Sequence, residues 1–168
     1  MDLGPSDKVK PILEQVKAFI DNEILPVERE YHEEVDKGDR WQYTARQTEI
    51  LEDLKKKARA KNLWNFFLTH WEGGDGLNTV EYSYIAEETG RSHLAPEVFN
   101  CSAPDTGNME VLARYCSDEQ KKKWLVPLLN GEIRSAYAMT EPGVASSDAK
   151  NISMSCVLDG NEWVLNGE

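Results

Sequence analysis

The chain has 168 residues, roughly enough for one domain or one and a half, and its 40% hydrophobic content can form a core. It carries 19 Lys and Arg against 30 Asp and Glu, which gives a formal net charge of -11. This balance argues against nucleic acid and anionic membrane surfaces as partners, because both attract clustered basic residues. No apolar run in the sequence approaches the length of a membrane span.

The cysteines favour a reducing compartment. Cys101, Cys116 and Cys156 are odd in number, far apart and without a CxxC pair, so neither a disulfide framework nor a zinc site is predicted. The first residues match neither a secretory signal nor an Arg-rich transit peptide. The sequence therefore indicates an intracellular protein.

Helical periodicity runs through the first two-thirds of the chain. Apolar residues recur at helical spacing from Val9 to Ile24, and Pro26 is expected to kink or end this first helix. Capping boxes predict the starts of three later helices: Thr44 with Gln47, Asn78 with Glu81, and Ser117 with Gln120. A loop is expected over 73–76, a short helix after Pro104, and helix ends at Gly90 and Gly131.

The pattern changes after Gly131. Residues 135–139 are predicted as a strand and Pro142-Gly143 as a type II turn. Residues 152–158 alternate as a half-buried strand does, and a hairpin at Asp159-Gly160 leads to a returning strand over 163–165. Asn166-Gly167 predicts another hairpin, with no strand after it. Because a hairpin or two cannot form a stable sheet alone, the chain is interpreted as a fragment of a larger protein.

The segment from Tyr137 to Asp148 carries the clearest chemistry. Ala138 is small and apolar and Met139 is apolar, and together they could form the flat wall that an isoalloxazine ring needs. Thr140 supplies a hydroxyl and a backbone N–H for the polar edge of such a ring. The following loop has little side-chain bulk, so its backbone could approach a pyrophosphate, with hydroxyl donors from Ser146 and Ser147.

The same segment resembles the flavin-binding signature of acyl-CoA dehydrogenases, a strand followed by Thr-Glu-Pro and a small-residue loop that ends in Ser-Asp. Residues 63–68 and 103–110 are similar to family members ten and eleven and their bacterial relatives. Residues 163–167 are similar to the strand and turn before the family's second flavin motif, which would lie after Glu168. The resemblance covers nearly the whole chain, as an amino-terminal part of the family.

The resemblance implies a mainly α fold, with a helical amino-terminal domain over residues 1–132 and the first strands of an incomplete antiparallel β domain over residues 133–168. It also implies FAD as the cofactor and acyl-CoA as the substrate. The expected FAD contacts are Tyr137, Ala138, Met139, Thr140, Gly143, Ser146 and Ser147. Ser147 is also expected to contact the acyl-CoA. An extra residue between Thr140 and Asp148, relative to many family members, leaves open which serine has which role.

The family reaction desaturates an acyl-CoA thioester between Cα and Cβ, in fatty-acid β-oxidation. A glutamate base takes the α-proton, and because it lies in the family's carboxy-terminal domain, no catalytic residue is assigned in this chain, which alone should be inactive. The resemblance implies electron-transfer flavoprotein or oxygen as acceptor, a homodimer or homotetramer, and a mitochondrial, peroxisomal or bacterial cytoplasmic location. A flavin acyl-CoA oxidase of the same fold and a non-catalytic helical dimerisation module are the alternatives.

Three other features allow competing interpretations. Asp105-Thr106-Gly107 spells the aspartic-protease triplet, but Pro104 precedes it and a helical pattern follows, so Asp105 or Thr106 is expected to cap a helix. The Gly-rich loop over 73–76 lacks the lysine of a phosphate-binding loop. The histidines are isolated and predict no metal site: His32, His70 and His93.

Overall fold

The computed structural model describes residues 4–68 and 76–168. The chain divides into two compact units, the first ending at Ser135 and the second covering Ala136–Glu168. The predicted loop over 73–76 lies outside the described residues except for Gly76, and His70 lies outside them entirely. In the described part of the chain, no helix is both long enough and apolar enough to cross a membrane.

The first unit is helical, which confirms the mainly α prediction. Its helices are α1 (Lys10–Phe19), α2 (Leu25–Val35), α3 (Ala45–Ala60), α4 (Thr79–Thr89), α5 (Ala95–Val98), α6 (Asp105–Tyr115), α7 (Asp118–Gln120) and α8 (Val126–Leu129). Two π-helical turns, Ile20–Ile24 and Lys121–Leu125, join α1 to α2 and α7 to α8. The three predicted capping boxes are present, because in each the cap side chain and the third helical residue exchange bonds with the backbone.

Pro26 does not end the helical course of the chain. It is the second residue of α2, and the π-helical turn Ile20–Ile24 comes directly before that helix. The Leu25 N–H donates to the carbonyl of Ile20, five residues earlier. A proline clashes with the carbonyl four residues before it, and the wider π turn gives that carbonyl more room. The second π-helical turn has the same relation to Pro127 in α8.

Two apolar clusters hold the helices together. The larger one contains residues from all five helices α1 through α5. Within it, the Phe99 ring lies 5.5 Å from the Phe19 ring and 5.8 Å from the Phe66 ring. The smaller cluster brings the end of the chain's helical part against α6, through Phe67, Leu68, Met109, Leu125 and Leu128. Because full burial of such a side chain contributes about 1.5–3 kcal/mol, these clusters stabilise the helical unit more than helix propensity does.

The second unit contains one antiparallel hairpin, β1 (Ser155–Asp159) and β2 (Glu162–Asn166). The predicted turn is confirmed: Asp159 pairs with Glu162, and Gly160 has a φ of +61°. A short 3-10 turn, Ala149–Asn151, precedes the hairpin. Gly167, after β2, lies so close to Met154 that an added Cβ would be 2.5 Å from the methionine Cγ.

Three details of the β prediction are wrong. Residues 135–139 form no strand, because no described strand pairs with them. Gly143 has no positive φ, which a type II turn would require at that position, so the turn is of another type. The strands are exposed on both faces instead of half-buried, with Leu158 at 55% and Trp163 at 64% exposure.

Candidate functional site

The seven residues expected to contact a flavin lie on one continuous stretch of the second unit. Tyr137 is 62% exposed, Met139 is half-buried, and Ala138, Thr140, Gly143 and Ser147 are exposed. Ser146 differs from the rest, because it is only 1% exposed. Six of the seven are therefore accessible to a ligand in this chain.

The buried Ser146 hydroxyl serves the loop's own structure. Its Oγ accepts a hydrogen bond from the backbone N–H of Glu141 at 2.7 Å, and its own N–H donates to the carbonyl of Val144 at 2.9 Å. A short serine side chain can satisfy a turn amide in this way. Of the two serines, the structure thus leaves Ser147 as the exposed hydroxyl.

Glu141, the glutamate of the Thr-Glu-Pro string, connects the two ends of the loop. One carboxylate oxygen accepts from the Ser153 N–H at 2.9 Å and from the Ser153 hydroxyl at 2.6 Å, and the other accepts from the Met154 N–H at 2.9 Å. The Ser153 hydroxyl, then the amides of Ser153 and Met154, hold the pKa of Glu141 below its ordinary value. Sequence patterns did not indicate this contact, because no local periodicity relates residues twelve positions apart.

Further contacts stabilise the middle of the loop. The Asp148 carboxylate accepts from the Lys150 N–H at 3.1 Å and so caps the 3-10 turn. The Asn151 amide donates to the carbonyl of Ala145 at 3.3 Å. The loop therefore has a folded shape formed by its own residues, with Thr140 and Ser147 exposed.

Asp105 does not cap a helix, contrary to the prediction, and neither does Thr106. Within the described residues, α6 begins at Asp105, and its N-cap residue Pro104 makes no side-chain capping bond. The Asp105 carboxylate points instead to the end of the first unit. One of its oxygens accepts from the Ser135 N–H at 2.7 Å and from the Ser135 hydroxyl at 2.5 Å. The other accepts from Nε of Arg134. The Asp105 carboxylate thus accepts hydrogen bonds from residues distant in the sequence and not from the amides at the start of α6.

This contact belongs to a wider charge network, which consists of Lys55, Glu97, Arg134, Asp105 and Ser135. Glu97 pairs with Arg134 at 2.5 Å and with Lys55 at 2.7 Å, so it joins α3, α5 and the end of the unit. Burial is the strongest single influence on the pKa of Asp105 and raises it, but the bonds from Ser135 and Arg134 together lower it below the ordinary value.

The network also weighs against the protease interpretation of the Asp105 triplet. Aspartic proteases need two carboxylates that share a proton, whereas here Arg134 stands between Asp105 and Glu97.

The His32 and His93 rings meet edge to face, with centroids 5.8 Å apart. Over residues 4–68 and 76–168, no group of three or more His, Cys, Asp and Glu side chains is arranged to hold a metal ion.

Comparison with known proteins gives consistent results. The family model described as acyl-CoA dehydrogenase, N-terminal domain, matches residues 6–132. The chain is 48% identical to mouse acyl-CoA dehydrogenase family member 10 over 169 residues, covering 98% of this chain and 15% of the relative. It is 47% identical to human family member 11 over 165 residues, covering 96% of this chain and 20% of that protein.

A solved structure is also similar. It is described as "a putative acyl-CoA dehydrogenase from Mycobacterium abscessus", with a TM-score of 0.85 and 49% identity, over 98% of this chain and 42% of that one. The chain thus spans less than half the length of each of these three proteins.

Proposed function

Because this chain belongs to the acyl-CoA dehydrogenase family, we propose that it forms the amino-terminal helical part and the first FAD-contacting segment of an FAD-dependent acyl-CoA dehydrogenase. The observation that carries the proposal is the folded loop after Thr140. Its internal bonds occupy Glu141 and Ser146, while the Thr140 and Ser147 side chains are exposed.

The residues of this stretch fit a flavin dinucleotide. An isoalloxazine ring needs an apolar surface beside donors for its polar edge, and Met139 lies next to the hydroxyl and amide of Thr140. A pyrophosphate needs donors that approach without steric hindrance, and an added Cβ at Gly143 would meet no described atom within 4 Å. The chain's acidic net charge of -11 does not conflict with this, since backbone amides and hydroxyls can bind phosphate locally.

Five of the seven residues would contact a ligand through their side chains, while Gly143 would approach it through its backbone and the buried Ser146 would hold the loop. Tyr137, Ala138 and Met139 would bind one face of the ring and exclude water from it. Thr140 would orient the ring's polar edge, and Ser147 would donate to a phosphate oxygen and contact the acyl-CoA. The bound flavin would supply the acceptor for the hydride that leaves Cβ of the acyl thioester. We assign the catalytic base to no residue of this chain.

The proposal extends to the whole protein. Its reaction would be the α,β-desaturation of an acyl-CoA thioester in fatty-acid β-oxidation, inside the cell, by a homodimer or homotetramer. The electrons would pass to an electron-transfer flavoprotein. An oxidase of the same fold would pass them to oxygen, so the rate at which oxygen alone reoxidises the reduced flavin distinguishes the two. A non-catalytic helical module would hold no flavin at all.

The test is the flavin content of the full-length protein. We expect a flavin absorbance spectrum from the wild type and strongly reduced occupancy in the double variant Thr140→Trp with Ser147→Trp, because bulky side chains would fill the exposed face of the loop. Asn161→Trp, on the exposed hairpin turn, is the matched control and should keep its flavin. A fully loaded double variant would show that the flavin binds elsewhere, and a colourless wild type would refute the proposed function.

A further inference from the structure

We propose that Glu141 is a positioning residue for the flavin, acting through the loop that it closes and not by touching the cofactor. This inference rests on the proposed function. The Glu141 clamp is the set of contacts between the Glu141 carboxylate and the residues Ser153 and Met154. The loop that it closes, residues 142–152, contains Gly143 and Ser147.

The geometry of the clamp accounts for both carboxylate oxygens. Three donors converge on them at 2.6–2.9 Å, two from Ser153 and one from Met154. Hydrogen bonds to an ionised acceptor are shorter and stronger than those between neutral groups. An acceptor surrounded by three donors is poorly placed to take a proton from a substrate. The structure therefore gives Glu141 a holding role and no acid–base role.

The backbone of Glu141 makes a further hydrogen bond within the loop. Its N–H donates to the buried Ser146 hydroxyl at 2.7 Å, in the middle of the loop, while its side chain holds the end of the loop. The same residue thus fixes two points of one loop. The exposed Ser147 follows directly after one of these points.

A loop that is already folded binds its ligand more tightly, because less conformational entropy is lost on binding. The loop is held in its shape by contacts among its own residues. Loosening the clamp should therefore weaken FAD binding while leaving the donors themselves in the chain. This separates a positioning role from a direct contact.

The variants follow from the donor pattern. Glu141→Gln keeps the side-chain shape but replaces one acceptor oxygen by an NH2 donor that faces Ser153 or Met154. We expect the FAD dissociation constant to rise by about 10- to 100-fold, the equivalent of losing one or two bonds to a charged acceptor. Ser153→Ala removes one of the three donors and should raise the constant by about 3- to 10-fold. Glu162→Gln, an exposed carboxylate on β2, is the matched control.

The experiment uses the full-length protein, stripped of flavin and titrated with FAD while flavin fluorescence is followed. Hydrogen exchange of the peptides covering residues 141–154 is measured in parallel. If the clamp positions the loop, Glu141→Gln weakens FAD binding, speeds exchange at Ser153 and Met154, and leaves the thermal midpoint of the helical unit unchanged. In the double variant Glu141→Gln with Ser153→Ala, the FAD dissociation constant should rise by less than the product of the two single increases, because both changes break the same contact.

The possible failures are distinguishable. If the wild type binds FAD and Glu141→Gln binds it equally well, the positioning role is wrong and the proposed function stands. If Glu141→Gln also lowers the thermal midpoint of the helical unit, its weaker FAD binding reflects a general loss of stability. The Ser153→Ala variant, at an unchanged midpoint, then provides the test. Unchanged FAD affinity in Ser153→Ala would also overturn the positioning role. If the wild type itself binds no FAD, the proposed function fails and the positioning role with it.

Discussion

Asp105→Ala removes the acceptor on which the end of the helical unit depends. The aspartate is 3% exposed, and its carboxylate receives two hydrogen bonds from Ser135 and one from Arg134. The alanine variant would leave the Ser135 amide and hydroxyl without this partner. Arg134, whose side chain is 44% exposed, would lose the Asp105 carboxylate and keep its ion pair with Glu97.

The magnitude follows from these exposures. A bond to a charged acceptor contributes about 1.5–3 kcal/mol when buried, but the half-solvated Arg134 contributes nearer to a surface pair, about 0–1 kcal/mol. With the two Ser135 bonds sharing one oxygen, we expect Asp105→Ala to lower the free energy of unfolding by about 3 kcal/mol. For a unit of this size, the thermal midpoint should fall by about 10 °C.

Asp105→Asn separates the network from the helix-cap interpretation. Asparagine is as good an N-cap as aspartate, so a cap would tolerate the change. In the network, the asparagine NH2 would face the Arg134 guanidinium or the Ser135 donors, and the expected cost is about 1–2 kcal/mol. The exposed Asp36 at the end of α2 provides the matched control, with an expected change of Asp36→Asn within about 0.5 kcal/mol.

The assay is urea unfolding followed by circular dichroism of the helices, repeated as a function of pH. The folded pKa of Asp105 lies below the ordinary value of an aspartate, so the stabilisation by its carboxylate is fully present above that ordinary value and is lost as the pH falls through the folded pKa. The difference between wild type and Asp105→Ala should therefore be constant near neutral pH and shrink below about pH 4. An Asp105→Asn variant as stable as the wild type would refute the network.

Two further predictions concern local geometry and thiol reactivity. Gly131→Ala should destabilise by about 1–2 kcal/mol in thermal unfolding, because Gly131 has a φ of +64° and an added Cβ would lie 3.0 Å from Cζ2 of Trp64. Gly38→Ala is its control, since its added Cβ would meet no described atom within 4 Å, and equal effects would contradict the argument. Cys156 on the exposed β1 should react with iodoacetamide well before Cys101, because burial raises the pKa of Cys101 to about 11. Mass spectrometry of the folded protein checks the order, and faster labelling of Cys101 would contradict it.

Local features of the fold could be predicted from the sequence because they depend on residues close together in the chain. The capping box of Thr44 with Gln47 spans three positions, and the Asp159-Gly160 turn needs only a residue that tolerates a positive φ. The family resemblance, which the comparisons confirm, rests on a similarly continuous string around Thr140. The flavin contacts and the domain boundary at 132 remain predictions.

Contacts between distant residues could not be predicted in this way. Glu141 meets Ser153 across twelve positions, and Asp105 meets Ser135 across thirty. A carboxylate at the start of a helix satisfies the local capping pattern whether or not a stronger tertiary donor exists, so the pattern alone predicted a cap at Asp105. A buried carboxylate goes to the donors that the folded chain brings nearest, and these are set by packing. The exposed loop depends on the same condition, since its shape is held by bonds that form only when Ser153 and Met154 have folded back onto Glu141.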